Sequence, residues 1–214
     1  MTFGSAGANP NARTQCEETA LHIVGEQSNT DYGLTKATVL ALLDSQADPN
    51  AVDAQGQTPL FSYAILNSPS AVKLLCSRGA DPRHRNLKGR TPLHTLYEVC
   101  LNSNTAVVLV KRFKADVDAQ DSYGTTPLML AAHTRSLVLV RSLLDDLNAN
   151  PLLCNRKGHD ALWFAKNGTD APIQVCVCVR SSHAQGLMRH QQVRAVIRAI
   201  EARCIEWVAE LQPV

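Results

Sequence analysis

The chain has 214 residues, of which 45% are hydrophobic and 19% charged, and its formal net charge is +2 at pH 7. This balance is typical of a globular protein and excludes an intrinsically disordered one. The net charge is too small to indicate nucleic-acid or membrane binding by itself, and no apolar run approaches the roughly 18 residues that a membrane-spanning helix requires. The length predicts one domain.

Two features of the chain bear on its location. The stretch MTFGSAGANPNARTQ at its start contains no hydrophobic segment of the kind that a signal peptide has, and its small polar residues predict a flexible tail over residues 1–13. The seven cysteines are scattered and odd in number, unlike those of a secreted disulfide framework. We therefore expect reduced thiols and a cytoplasmic or nuclear location.

A four-residue motif recurs along the chain. Its clearest copies are TPLF at 58–61, TPLH at 91–94 and TPLM at 126–129, and weaker copies begin at Thr19 and Asp160. The first residues of successive copies are 39, 33, 35 and 34 positions apart. Self-similarity at a period of this length predicts a repeat protein.

The motif has the composition of a helix start. Its threonine, or Asp160 in the last copy, can accept a backbone N–H bond as an N-cap, and proline fits the first helical position. A glycine two residues before four of the copies permits a tight turn. Behind the motifs, apolar stretches predict second helices at residues 39–43, 72–75, 107–110 and 137–144, and Gly79 follows one of them as a left-handed C-cap. Such a unit buries its apolar face only when neighbours stack on it.

This unit resembles the ankyrin repeat, whose signature is T-P-L-H-x-A and whose period is about 33 residues. The resemblance implies an all-α fold, an ankyrin-repeat solenoid of stacked helix-turn-helix units with projecting β-hairpin fingers. The resemblance covers residues 14–205 in five repeats, at about 14–52, 53–85, 86–120, 121–154 and 155–205. The fifth repeat contains an insertion at 168–190, and a C-terminal helix extension follows at 206–214.

Three repeats are longer than the family period. Repeat one carries six extra residues around residues 27–33, repeat three carries two near residues 101–104, and repeat four carries one near Leu147. The first and last copies of the motif lack the proline, as atypical capping repeats do.

His94 has the most obvious chemistry in the motif, and we interpret it as structural. A catalytic base would need an oriented nucleophile, and the chain shows neither a G-x-S-x-G motif nor a recognisable Cys–His arrangement. In the ankyrin family this histidine is a hydrogen-bonding strut beside the threonine, and Phe61, Met129 and Trp163 take its place in other copies. The same interpretation holds for His22. We expect no enzyme activity and no cofactor.

Residues 168–190 interrupt the fifth repeat. From Ile173 to Arg180 apolar residues alternate with polar residues and cysteines, which predicts a strand. Cys176 and Cys178, with histidines nearby, would allow a metal-binding or redox-sensing role, although their spacing is not that of a usual zinc finger. An enzyme or sensor that uses these cysteines is the alternative to a binding module.

Residues 191–211 predict an amphipathic helix. Apolar residues recur at spacings of three and four from Val193 through Val196 and Ile197 to Leu211. Arginines and glutamates share its other side, a mixture typical of a solvated face. We expect this end helix to cap the array, and its length leaves docking to a partner open.

The resemblance implies a non-catalytic protein-protein interaction module, a scaffold or adaptor, that binds through its finger tips and concave face. Basic residues concentrate in two fingers, ADPRHRNLKGR and CNRKGH. This charge favours a protein partner with an acidic segment, and a solvated basic edge or a nucleic-acid partner are the alternatives. We expect no membrane contact and a monomer in isolation. The candidate partner-binding residues are Arg85, Lys88, Arg90, Tyr123, His133, Arg156, Lys157 and His159.

Overall fold

The computed structural model describes residues 8–27, 32–98, 103–134, 136–167 and 196–198. Regular structure there is helical, with no β-strand among the described residues. Within the same part of the chain, every helix is too short or too polar to cross a lipid bilayer.

The helices come in pairs that follow the sequence repeats. The first helices are α1 (Ala20–Gln27), α3 (Pro59–Ile65), the 3₁₀ helix Pro92–Glu98, α6 (Pro127–His133) and α8 (Ala161–Asn167). The second helices are α2 (Tyr32–Asp44), α4 (Pro69–Ser77), α5 (Asn104–Val107) and α7 (Leu137–Arg141), and the last two continue as the π-helices Val108–Arg112 and Ser142–Asp146. Each first helix packs against the first helix of the next repeat, from α1 through to α8. The chain is therefore the predicted stack, in which each unit contacts its neighbours.

One continuous hydrophobic core runs through this stack. The motif leucines Leu21, Leu60, Leu93 and Leu128 belong to it and are at most 1% exposed. Burial of one leucine side chain stabilises a fold by about 1.5–3 kcal/mol. The motif recurs because each repeat must supply its own part of this shared core.

Part of the flexible tail predicted over residues 1–13 is bonded to the first repeat. The Asn11 side chain donates a hydrogen bond to the Gln46 carbonyl (3.1 Å) and accepts one from the Asp48 backbone N–H (2.7 Å). Asn50 makes the same pair of bonds to the next repeat. The tetrapeptide ANPN is thus a further copy of the loop ADPN that contains Asn50. The first seven residues lie outside the described part of the chain.

Two second helices end in a π-turn that takes up an extra residue. The backbone bond that closes the second helix spans residues 75–80 in repeat two. The equivalent bonds span 109–115 in repeat three (3.0 Å) and 143–149 in repeat four (2.8 Å), one residue more in each case. A π-turn accommodates such an insertion within the helix, so the alanine that follows keeps its place in the core.

The π-turns show that one of the two extra residues of repeat three lies at a different position from the predicted one. The single extra residue of repeat four lies in Ser142–Asp146, beside Leu147 where it was predicted. In repeat three, however, one of the two lies in Val108–Arg112 rather than near residues 101–104. Most of the extra segment of repeat one, residues 28–31, lies outside the described residues.

The end helix contributes to the core at two described positions. Val196 and Ile197 are at most 2% exposed and belong to the same hydrophobic cluster as the stacked helices. Packing of this helix on the array is confirmed at these two residues. The rest of the chain after α8, including residues 168–190 with Cys176 and Cys178, lies outside the described part, so the predicted strand and the metal or redox role stay predictions.

Candidate functional site

The finger of each of repeats two to five is a tight turn organised by one Asp or Asn side chain, whereas the hydroxyl of Thr14 takes that place in repeat one. In repeat four, Asp121 Oδ1 accepts hydrogen bonds from the backbone N–H groups of Tyr123 (2.9 Å) and Thr125 (2.8 Å). Such an Asx turn replaces backbone partners with a side-chain oxygen. The residues in the same place in the other fingers are Asp53, Asn86 and Asn155. Sequence reasoning missed these residues, although an Asp or Asn three positions before each turn glycine was a usable signal.

From repeat two to repeat five, neighbouring fingers are joined by one backbone hydrogen bond each. The N–H of Leu87 donates to the Gln55 carbonyl (3.1 Å), that of Ser122 to Lys88 (3.0 Å), and that of Arg156 to Tyr123 (3.0 Å). The fingers were predicted as β-hairpins, and each described finger is a hairpin-like turn without strands. The bonds place the tip residues in one row, here called the tip row, which runs in the order Gln55, Leu87, Lys88, Ser122, Tyr123, Arg156 and Lys157.

The turn glycines are needed for more than their backbone conformation. Gly89 has a φ of +71°, and a Cβ atom built there would lie 2.8 Å from Ser122 Oγ and 2.9 Å from Ser122 N. Gly158 has a φ of +76°, but a Cβ there would meet nothing within 4 Å. The glycine therefore also permits the next finger to approach closely, a constraint that the last described finger does not have.

Two of the predicted partner-binding arginines hold the neighbouring finger. Arg85 Nη1 donates hydrogen bonds to the carbonyls of Gly89 (2.9 Å) and Gln120 (2.6 Å). Arg90 Nε donates to Asp121 Oδ2 at 3.4 Å, and the side chain of Asp121 is fully buried (0% exposed). Both guanidinium groups thus bridge the third finger to the fourth.

The remaining predicted tip residues are exposed in the row. Lys88, Arg156 and Lys157 are exposed, and Tyr123 is 65% exposed. Leu87, beside Lys88, is 77% exposed. The structure therefore places a leucine and a tyrosine on adjacent fingers among three cations.

The two histidines among the candidates are not part of the tip row and lie against aromatic rings. His133 is partly buried, and its ring meets that of Phe164 edge-on at 5.9 Å, between α6 and α8. His159 stacks on Trp163 with 3.6 Å between ring centroids and 6° between planes. The structure brings together the tip residues of the prediction but not these two histidines.

His94 is the structural strut that the sequence predicts. Its Nδ1 accepts a hydrogen bond from the Thr91 backbone N–H (3.0 Å) and lies 2.9 Å from the Thr91 hydroxyl, while Nε2 lies 3.1 Å from the Thr125 carbonyl. An accepting Nδ1 leaves the proton on Nε2, which then donates to Thr125. Burial lowers the pKa of His94 to about 4, so the ring stays neutral at pH 7. His22 makes the same contacts, with Thr19 and with the Gln57 carbonyl.

The predicted threonine caps are only partly realised. Thr126 Oγ1 accepts the Met129 N–H (3.3 Å), and Asp160 Oδ1 accepts the Trp163 N–H (2.8 Å). Where the fourth motif residue is histidine, the ring nitrogen takes the threonine hydroxyl instead. Thr58 makes no side-chain cap bond among the described residues. The motif threonine is therefore a cap only in some repeats.

The described residues offer little for metal or thiol chemistry. No three His, Cys, Asp or Glu side chains among them could hold a metal ion together. Burial, with a smaller contribution from Asp81, raises the pKa of Cys76 to about 12, which disfavours the reactive thiolate. Cys16 and Cys154 are exposed free thiols.

Comparison with known proteins agrees with the geometry. A family model described as "Ankyrin repeats (3 copies)" matches residues 2–86 and 67–151. Human "Neurogenic locus notch homolog protein 4" is 39% identical over 104 residues, which is 48% of this chain and 5% of that protein. "Neurogenic locus notch homolog protein 1" of Xenopus laevis is 28% identical over 164 residues, 76% of this chain and 6% of that protein. Mouse "NF-kappa-B inhibitor delta" is 32% identical over 108 residues, 50% of this chain and 32% of that protein. The chain thus spans a third or less of the length of each of these relatives.

Proposed function

The chain belongs to the ankyrin-repeat family, and we propose that it is a non-catalytic scaffold or adaptor that binds a partner protein through its finger tips and the exposed face of its first helices. The tip row is the observation that carries this proposal. It displays exposed side chains in a fixed order on a rigid stack, which is the arrangement that recognition of a protein surface needs.

The charge of the tip row supports a partner with an acidic segment. Lys88, Arg156 and Lys157 are exposed there, and cations of this kind attract an acidic partner and raise its association rate. We place the module in the cytoplasm or nucleus, since the cysteines that the structure describes are free thiols.

Capture of partners from the source cells tests the proposal. The full chain should retain a protein that the variant Lys88→Glu with Lys157→Glu loses, with the larger loss at low salt because screening weakens charge attraction. The variant Lys73→Glu with Lys111→Glu is the matched control, since both lysines are exposed on second helices and the change in net charge is the same. Retention that disappears on nuclease treatment would instead indicate a nucleic-acid partner, and equal loss in both variants would contradict the assignment to the tips.

A further inference from the structure

We propose that the tip row holds an extended acidic segment that carries apolar side chains, with its carboxylates on Lys88, Arg156 and Lys157 and its apolar groups on Leu87 and Tyr123. This inference rests on the proposed function and adds the exact surface and the chemistry of the segment. It also makes Arg85 and Arg90 positioning residues, which act on the surface through the fourth finger.

The positive charge of the tip row follows from where the acidic side chains of the fingers point. The only carboxylate within the turns 86–90, 121–125 and 155–159 is that of Asp121, and its side chain is fully buried. In the neighbouring finger, Asp53 uses its carboxylate to accept two backbone N–H groups (2.8 Å each). The acids of these turns are therefore occupied inside the turns, and the cations are the charged groups that face outward.

The apolar part of the tip row comes from two of these fingers. Leu87 and Tyr123 are 77% and 65% exposed, and they stand on adjacent fingers. Between them lie Lys88 and Ser122, and the backbone N–H of Ser122 donates a hydrogen bond to the Lys88 carbonyl (3.0 Å). A tyrosine flanked by cations has the composition of a binding hot spot, where aromatic and arginine side chains carry most of the energy. Because apolar and basic groups are interspersed along the row, the complementary segment carries both apolar and acidic groups.

The arginines Arg85 and Arg90 act on this surface through the fourth finger. Their bonds end on Gln120 and Asp121, directly before the tip at Ser122 and Tyr123. Loss of Arg90 would leave the buried Asp121 carboxylate without its cation, which favours a shift of the turn. Lysine is not equivalent to Arg90 at this site, because a methylene group takes the place of the Nε atom that donates to Asp121.

Two soluble fluorescent peptides test the surface on the full chain: one in which glutamates alternate with leucines, and one of glutamates alone. We expect the alternating peptide to bind more tightly, and Tyr123→Ala to weaken it by about thirtyfold, the factor that matches the usual hot-spot threshold. Lys88→Gln with Lys157→Gln should weaken both peptides about tenfold at low salt and less at high salt. Equal affinity for the two peptides, or no effect of Tyr123→Ala, would overturn the inference.

The positioning role has its own readout in amide hydrogen exchange. Arg90→Lys keeps the charge, so a direct contact with the peptide would survive it. We expect instead faster exchange at the amides of Tyr123 and Thr125, which bond to Asp121, together with weaker binding of the alternating peptide. Unchanged exchange and binding in Arg90→Lys would refute the positioning role.

The inference and the function proposed above fail in different ways. A captured cellular partner could remain bound to Tyr123→Ala and to the Lys88 and Lys157 variants but be lost when Ile65 on α3 is changed to Asp. The chain would then still be a binding module. That result would overturn the tip row as the binding surface. Loss of the same partner in the tip variants, with Ile65→Asp unaffected, would support the tip row.

Discussion

Replacing Gly89 with alanine separates the two constraints that act on a finger glycine, because Gly158 offers a matched control. The two residues have nearly the same φ, +71° and +76°, so alanine should cost each about 1–2 kcal/mol for the left-handed conformation. Only at Gly89 would the new Cβ lie 2.8 and 2.9 Å from atoms of the next finger, one of which is the backbone nitrogen of Ser122.

The additional cost at Gly89 follows from what must move. Backbone cannot rotate away as the end of a flexible side chain can, so the fourth finger must shift and weaken the bond from Ser122 N–H to the Lys88 carbonyl. One such bond contributes about 1 kcal/mol, and strain in the packed turn should add a similar amount. We therefore expect Gly89→Ala to lower the free energy of unfolding by about 3–4 kcal/mol and Gly158→Ala by about 1–2 kcal/mol.

Thermal and urea unfolding followed by circular dichroism would measure this difference. In a chain of this length about 1 kcal/mol corresponds to a shift in Tm of roughly 2–4 °C, so the two variants should differ by several degrees. Hydrogen exchange at the Ser122 amide should accelerate only in Gly89→Ala. Equal Tm values for the two alanine variants would refute the argument that close approach of the fingers is what requires the glycine.

Three further changes test other parts of the array. The pKa of His94 is lowered to about 4 from an ordinary value of about 6.5, so the unfolded chain binds more protons than the folded chain between these two pH values. The free energy of unfolding should therefore fall by about 3 kcal/mol as the pH drops through this window. His94→Phe should remove that dependence in pH-resolved urea titrations while costing about 2 kcal/mol at pH 7, and an unchanged pH profile would contradict it. Thr126→Ala should cost about 1 kcal/mol through loss of its cap, whereas Thr58→Ala should cost less, and equal losses would contradict the observed caps. Val196→Asp should destabilise the chain by several kcal/mol because it buries a charge, whereas Arg198→Asp at an exposed position should not, and a similar Tm for both would refute packing of the end helix.

The proposed partner-binding surface could be anticipated only in part from the sequence. The resemblance to the ankyrin repeat implies that Tyr123, Lys88, Arg156 and Lys157 lie on finger tips, and the structure puts them in one row. Their role in binding stays a prediction. The pattern could not tell that Arg85 is bonded to the next finger, because an arginine in a turn has the same signature whether it points outward or sideways.

What the sequence determined by itself is local. Proline at a helix start, the motif leucine and the glycine of each turn can each be recognised within the sequence of one repeat, so their recurrence predicted the repeat boundaries and the stacked all-α fold. An Asx residue three positions before the glycine belongs to the same local chemistry and could have been found in the same way.

What only the tertiary structure decided depends on contacts between repeats. Arg90 meets Asp121 across 31 positions and Arg85 meets Gln120 across 35, and Asn11 bonds to a loop 37 positions away. The period predicts that such residues are neighbours in the stack. Which hydrogen bond forms, however, depends on differences of a few tenths of an ångström in the distance between two turns. For the same reason the π-turn of repeat three was invisible, since a helix can absorb an extra residue without any change in the pattern of its apolar face.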